Sequence, residues 1–207
     1  MTEREVDDRA VVVEFRSSFA IIRFNRPVER NPLSITTLEE LERAVCALLA
    51  RTDITAIIFA GAGDVFASGA NIRELLTLTP TLAKEFSRRG QRLFEKIANV
   101  PQLTIAAING YCMGGALDLA LACDVRCASP RAVFAHPGAR LGIITGWGGT
   151  QRLPRLIGAA RALEMFTTAR RVSSHEALEI GLVSKVGEPV IDCAIEMAKA
   201  RPASIIF

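Results

Sequence analysis

Two glycines and an aspartate at close spacing raise the first chemical question. Gly114 and Gly115 precede Asp118 in the stretch Gly110-Tyr111-Cys112-Met113-Gly114-Gly115-Ala116-Leu117-Asp118-Leu119-Ala120. Leu103-Thr104-Ile105-Ala106-Ala107-Ile108-Asn109, just upstream, is a short apolar run suited to a buried strand. Residues 116–122, rich in Ala and Leu, predict a buried helix. Small residues at the junction let a ligand come close to the backbone, and the first N–H groups of a helix lack intrahelical acceptors. Those donors, with the positive end of the helix dipole, suit a developing negative charge. Asp118 then stands about one helical turn away as a proton-transfer group. The same pattern also serves tight helix–sheet packing, with Asp118 compensating the dipole, and this stretch alone leaves both readings open.

Composition removes several other chemistries. The net charge of +3 is small and the basic residues are scattered, so nucleic acid is not an expected partner. No apolar run approaches the ~18 residues of a membrane span. Met1 to Ala10 is charged and polar, so no secretory leader is expected, and a cytoplasmic location follows. The cysteines (Cys46, Cys112, Cys123, Cys127, Cys193) are odd in number, lack C-x-x-C spacing and sit among apolar residues, which predicts buried thiols. His136 and His175 are not spaced as a metal pair, so no metal is expected. The G-x-G-x-x-G fingerprint is absent, which argues against a nicotinamide enzyme.

The elements that must position these residues follow from periodicity. Val11-Val12-Val13-Glu14-Phe15 and Ala20-Ile21-Ile22-Arg23-Phe24 predict paired strands. Two prolines make 25–32 a loop. Thr36-Thr37-Leu38-Glu39 has a capping-box pattern and predicts a helix over about 36–50. Residues 56–60 predict a buried strand, and Phe66 to Leu75 a small-residue loop opening toward a helix. Residues 81–98 carry the apolar period of an amphipathic helix. Short strands are expected at 124–128 and 132–135. A second glycine-rich loop spans 142–150, followed by helices over 151–157 and 159–167. Ser173 carries an N-cap signature, 182–186 reads as a strand, and a last helix over 190–200 should stop at Pro202. Strands alternating with helices indicate an α/β fold.

Several stretches together resemble the crotonase superfamily, also called the enoyl-CoA hydratase/isomerase family. They are Phe24-Asn25-Arg26-Pro27 with residues 31–34, then 66–75, 107–124, 141–154 and 177–183. The resemblance implies an α/β crotonase-like ββα spiral, one domain over 1–207 with its core at about 10–190. The sequence stops at Phe207, before the family's C-terminal helices, so the helical C-terminal region is expected to be either truncated or naturally short. It also implies an acyl-CoA thioester as substrate, with coenzyme A part of that substrate and no separate cofactor, and assembly as a homotrimer or hexamer. Matched to the family, Ala70 and Gly115 supply the two backbone N–H groups that hold a thioester enolate. Arg26, Val28, Arg30, Ser68, Asn71, Ile72, Arg73 and Gly114 fall on the substrate-binding segments. The arginines would add charge for the coenzyme A phosphates, or serve only as solvated surface charge.

Departures from the family pattern qualify the chemistry. Asp118 matches the first of two catalytic glutamates on a shorter stem, and Gly138 stands at the second. Asn71 replaces the usual aspartate. His136 is either a substitute titratable group or a packed histidine. Enoyl-CoA hydration is the leading expectation. Isomerisation or decarboxylation using Asp118 alone, or a non-catalytic acyl-CoA-binding or assembly subunit, are the alternatives.

Overall fold

Apolar alternation and turn chemistry build the first elements of the computed structural model, which describes residues 8–200. Strands β1 (Val11–Arg16) and β2 (Phe19–Phe24) pair antiparallel, with Val11 opposite Phe24. The proline-bounded loop turns through a 3-10 segment, Pro27–Glu29, and through Arg30 and Asn31, both at positive φ. The Asn31 side-chain amide holds the turn by donating to the carbonyls of Ala62 (3.0 Å) and Val65 (2.8 Å).

Strand β3 (Pro32–Leu33) then leads into α1 (Ile35–Leu49). The cap is Ser34, whose hydroxyl accepts from Thr37 N, so the capping pattern expected at Thr36 lies inside the helix. Next come β4 (Ala56–Gly61), β5 (Val65–Ala67), β6 (Gly69–Ala70), α2 (Ile72–Leu75) and α3 (Pro80–Ala98). They are followed by β7 (Leu103–Ile108), β8 (Tyr111–Met113) and α4 (Gly115–Ala122). After β9 (Val125–Ala128) and β10 (Val133–Ala135), a 3-10 segment (Pro137–Leu141) and a loop lead to α5 (Gly149–Ile157) and α6 (Ala159–Thr168). The described chain closes with β11 (Val172–Ser173), α7 (Ser174–Glu179), β12 (Lys185–Val186) and α8 (Val190–Lys199).

Strand–strand–helix units wind this order into two larger sheets, beside a two-stranded parallel pair of β3 and β6. The first strand of each unit enters a six-stranded sheet, β1-β2-β4-β7-β9-β12, parallel from β2 onward. The second enters a smaller sheet, β11-β10-β8-β5. This is the expected ββα spiral. Helices cover both faces of the larger sheet, so its strands read as continuous apolar runs. Ile22, Phe24, Ile57, Phe59, Ala106 and Ile108 point into the main core. Their neighbours Ile21, Ile58, Ile105 and Ala107 face Val190, Cys193 and Ala194 of α8.

Some expectations need correction. The stretch before Gly114 and the stretch 65–70 contain strands β8, β5 and β6, so the strand that hands over to α4 is β8 and not the longer β7. Helix α5 starts at Gly149, earlier than expected. The strand expected over 182–186 shrinks to β12, because Leu182 N and Val183 N both donate to Ala177 O in the turn that ends α7. Cys46 is exposed, with its Sγ 3.3 Å from Lys96 Nζ, whereas the other four thiols are free and buried as expected. Burial pushes the Cys123 and Cys127 thiols up to about 12. Pro202, expected to stop the last helix, lies outside the described residues, as does most of the charged N-terminal segment. Among the described residues, no helix is long and apolar enough to cross a membrane.

Candidate active site

The parallel strands β5, β8 and β10 lie side by side, so the segments that follow them emerge together. They are β6, the start of α4, and the 3-10 segment after His136. They enclose a cavity of about 240 Å³. Ser68, Ala70, Ile72, Gly114, Gly115, His136 and Gly138 all line it, so the spiral gathers residues that are far apart in sequence. The rest of the wall is mainly apolar, including Leu75, Phe86, Leu141, Ile143 and Trp147.

Backbone approaches backbone at this wall. Gly69 has a φ of +90, and a Cβ there would lie 2.6 Å from Met113 O and 3.2 Å from Gly115 N. Only glycine lets β6 sit this close to the start of α4. Gly115 is the first residue of α4, so its N–H has no acceptor within the helix. Ala70 follows Gly69 on the same wall. The positive end of α4 and the β6 backbone thus flank one edge of the cavity.

Asp118 sits in the first turn of α4 and has no solvent exposure. Its Oδ2 accepts from the Thr145 hydroxyl and from Trp147 N (3.1 Å). Its Oδ1 has no hydrogen-bond partner and lies 3.7 Å from His136 Nε2. Burial pushes its pKa up to about 6, against the lowering effect of the Thr145 and Trp147 hydrogen bonds. His136 is also buried, and desolvation takes its pKa down to about 4. Its ring centroid lies 4.8 Å from that of Phe166, with the rings tilted by 47°, and neither ring nitrogen has a hydrogen-bond partner. At neutral pH the pair is therefore a carboxylate beside a neutral imidazole.

Other expected site residues land farther from the cavity. Arg26 pairs with Asp8 at 2.7 Å, and the Arg30 guanidinium lies over the Tyr111 ring at 5.2 Å. Val28 is 98% exposed on the same loop. Asn71 caps α2 by accepting from Arg73 N at 3.0 Å, and Arg73 itself is exposed. Gly138 offers no empty space for a side chain, because a Cβ there would lie 2.5 Å from Ile143 O. Two site residues were not singled out from sequence, Thr145 and Trp147. A lone tryptophan inside Gly146-Trp147-Gly148-Gly149 was the available signal, since so large a ring among glycines needs a place to pack. Among the described residues, no group of three or more His, Cys, Asp or Glu side chains is placed to hold a metal ion.

The chain has clear counterparts among known proteins. Residues 14–203 match the family model described as enoyl-CoA hydratase/isomerase. The chain belongs to the enoyl-CoA hydratase/isomerase family. A short-chain-enoyl-CoA hydratase of Clostridium acetobutylicum is 37% identical over 180 residues, covering 86% of this chain and 69% of that protein. A crotonyl-CoA hydratase of Syntrophomonas wolfei is 39% identical over 180 residues, with the same coverage, 86% and 69%. The solved enoyl-CoA hydratase of Bacillus anthracis superposes with a TM-score of 0.88 at 36% identity, covering 92% of this chain and 75% of that one.

Proposed function

We propose that this chain binds acyl-CoA thioesters and hydrates an α,β-unsaturated acyl group. The observation that carries this reading is the cavity edge itself. The Ala70 backbone and the first N–H of α4, at Gly115, flank one space beside a buried carboxylate whose pKa stands near 6. In this reading both N–H groups receive the thioester oxygen as it becomes an enolate oxyanion. Fixed donors in an apolar cavity stabilise such charge without reorganisation. Asp118 moves the proton, and a pKa near the working pH suits that task. Coenzyme A enters as part of the substrate. Val28, exposed on the 27–30 turn, with Arg26 and Arg30 beside it, would contact its adenine and phosphate portions, as would Ser68 through Arg73.

Gly138 favours a second reading. With no second carboxylate, an oxyanion hole and one acid suffice for double-bond isomerisation, or for holding the enolate left by decarboxylation. Turnover separates these from one another and from a binding subunit without catalysis. Crotonyl-CoA, a 3-enoyl-CoA and a malonyl-type thioester should be assayed with Asp118→Ala as control, after binding is established by calorimetry. Hydration of crotonyl-CoA that is lost in Asp118→Ala is the expected outcome. Binding without turnover of any of them would reject catalysis. We further propose a cytoplasmic homotrimer or hexamer.

A further inference from the structure

Asp118 presents a problem for any reaction in the cavity. Its carboxylate has no solvent exposure and forms no part of the cavity wall. A group that exchanges protons with substrate must reach it directly or through an intermediary. Three neighbours of the carboxylate also line the cavity, His136, Thr145 and Trp147, and of these the first two carry a side-chain group that can pass a proton. The imidazole is poorly placed for the task. Both of its nitrogens are buried without partners, and its ring packs at a tilt against Phe166. Thr145 differs on each count. It is half-buried on the cavity wall, and its hydroxyl already donates to Asp118 Oδ2. Trp147 N fixes the same carboxylate oxygen from behind.

We propose that Thr145 is a catalytic residue, the hydroxyl through which the buried Asp118 carboxylate exchanges protons with the substrate. This rests on the enolate-stabilising function proposed above. In hydration, water bonds to Cβ through its oxygen, and the Cα–Cβ π pair moves onto Cα and the thioester oxygen. The water proton passes to Thr145 Oγ as the Thr145 proton passes to Asp118 Oδ2. The enolate then collapses, and Cα takes a proton from Thr145 Oγ while Asp118 returns its proton to that oxygen. Water is consumed, both groups are restored, and no other reactant is needed. The charged and titratable groups around Asp118 are His136 after β10, Arg152 on α5 and Cys112 on β8.

The test compares Thr145→Val, which keeps the shape and removes the hydroxyl, with Thr145→Ser, which keeps the hydroxyl. Crotonyl-CoA hydration and deuterium exchange at Cα of butyryl-CoA are both read, with thermal melts as the check on folding. The expected result is a kcat loss of about 10²–10⁴-fold in Thr145→Val, recovery to within about tenfold in Thr145→Ser, and little change in KM. The solvent-isotope proton inventory should curve in the parent, because two protons move together, and become linear in Thr145→Val. Equal activity in a folded Thr145→Val overturns the relay while leaving the hydratase reading intact. A loss confined to His136→Gln, with Thr145→Val active, also overturns it and assigns the imidazole instead. A parent inactive in both assays overturns the relay together with the function it rests on.

Discussion

Asp118 and His136 carry opposite burdens from the same burial. The aspartate's pKa is raised from 3.8 to about 6, so the folded chain binds its proton more tightly than the unfolded chain does. Its contribution to stability is complete below about 3.8 and is lost as pH rises through about 6. The histidine's is lowered from 6.5 to about 4, so its contribution is present above 6.5 and lost as pH falls through about 4. Between these limits the two slopes oppose each other. Asp118→Asn should remove the aspartate's burden while still accepting from Thr145 and Trp147, and its new N–H can face His136 Nε2. We expect the variant to lose turnover yet gain on the order of 1–3 kcal/mol of stability at pH 8, with a smaller gain at pH 5. Thermal melts at the two pH values check this, and a less stable variant at pH 8 would contradict it. Activity of the parent should fall on the acid side of about pH 6 as the carboxylate protonates. A different expectation holds at Gly138, where the family pattern suggests that Gly138→Glu would restore a missing acid. A Cβ there meets the Ile143 carbonyl, itself held in place because Ile143 N donates to Gly138 O at 3.0 Å. Gly138→Glu should therefore cost about 1–3 kcal/mol by overpacking and leave hydration no faster. A rate gain in a stable Glu variant would show that the 138–143 turn yields readily.

Trp147 ties three elements together at the cavity floor. Its indole packs on Phe86 at 5.1 Å and Phe94 at 5.6 Å, both on α3, and its Nε1 donates to Phe86 O at 3.3 Å. A Cβ at Gly90 on α3 or at Gly115 on α4 would overlap the same ring. Both glycines are therefore demanded by one side chain and not by unusual backbone angles. Gly90→Ala should cost about 1–3 kcal/mol in the parent. In a Trp147→Leu background the same change should become neutral or stabilising, since glycine inside a helix costs about 0.5–1 kcal/mol relative to alanine. Urea unfolding of the four chains measures the coupling, and additive effects would reject it. Gly90 also illustrates the limit of reading elements from sequence. The helical period over 80–98 is plain, but its tolerance of a central glycine depends on a tryptophan more than fifty positions away. The long elements, β4, β7, α1 and α3, carried enough periodicity to be legible. Strands β5, β6 and β8 are two or three residues long and too short for alternation to register, yet they hold Ala70 and lead to Gly115. Those two backbone positions entered the reading only through resemblance, because a backbone N–H has no side-chain signature. That Asp118 lies behind Thr145 was not legible at all, since nothing local distinguishes a carboxylate facing a cavity from one a shell deeper.

At the scale of the molecule, apolar side chains remain outside after both cores are filled. Leu76 is 82% exposed, Ile144 64%, Leu163 62% and Ile72 52%. Ile72 and Ile144 also line the cavity, and Leu76 lies just beyond the end of α2, so much of this surface surrounds the mouth of the site. Fixed donors of the kind proposed at this site act most strongly where bulk solvent is kept away, and a mouth so open to solvent weakens them. Scattered exposed leucines are ordinary, but a contiguous apolar rim usually marks a surface that is covered in the working protein. A net charge of only +3 leaves little self-repulsion to oppose association. These observations favour the proposed trimer or hexamer, in which neighbouring copies would cover part of the rim. Sedimentation velocity at micromolar concentration should then give a particle of three or six times the 22.4 kDa chain mass. Leu76→Lys and Leu163→Lys lie outside the cavity wall, so each can weaken association without entering the site. If either position is in the interface, its lysine variant should shift the particle toward monomer and lower turnover only in proportion to that shift. A clean monomer for the parent at every concentration would reject assembly. The open rim would then have to be closed by the acyl-CoA itself, and hydrogen exchange at residues 72–76 and 141–144 would slow on adding crotonyl-CoA without any change in mass.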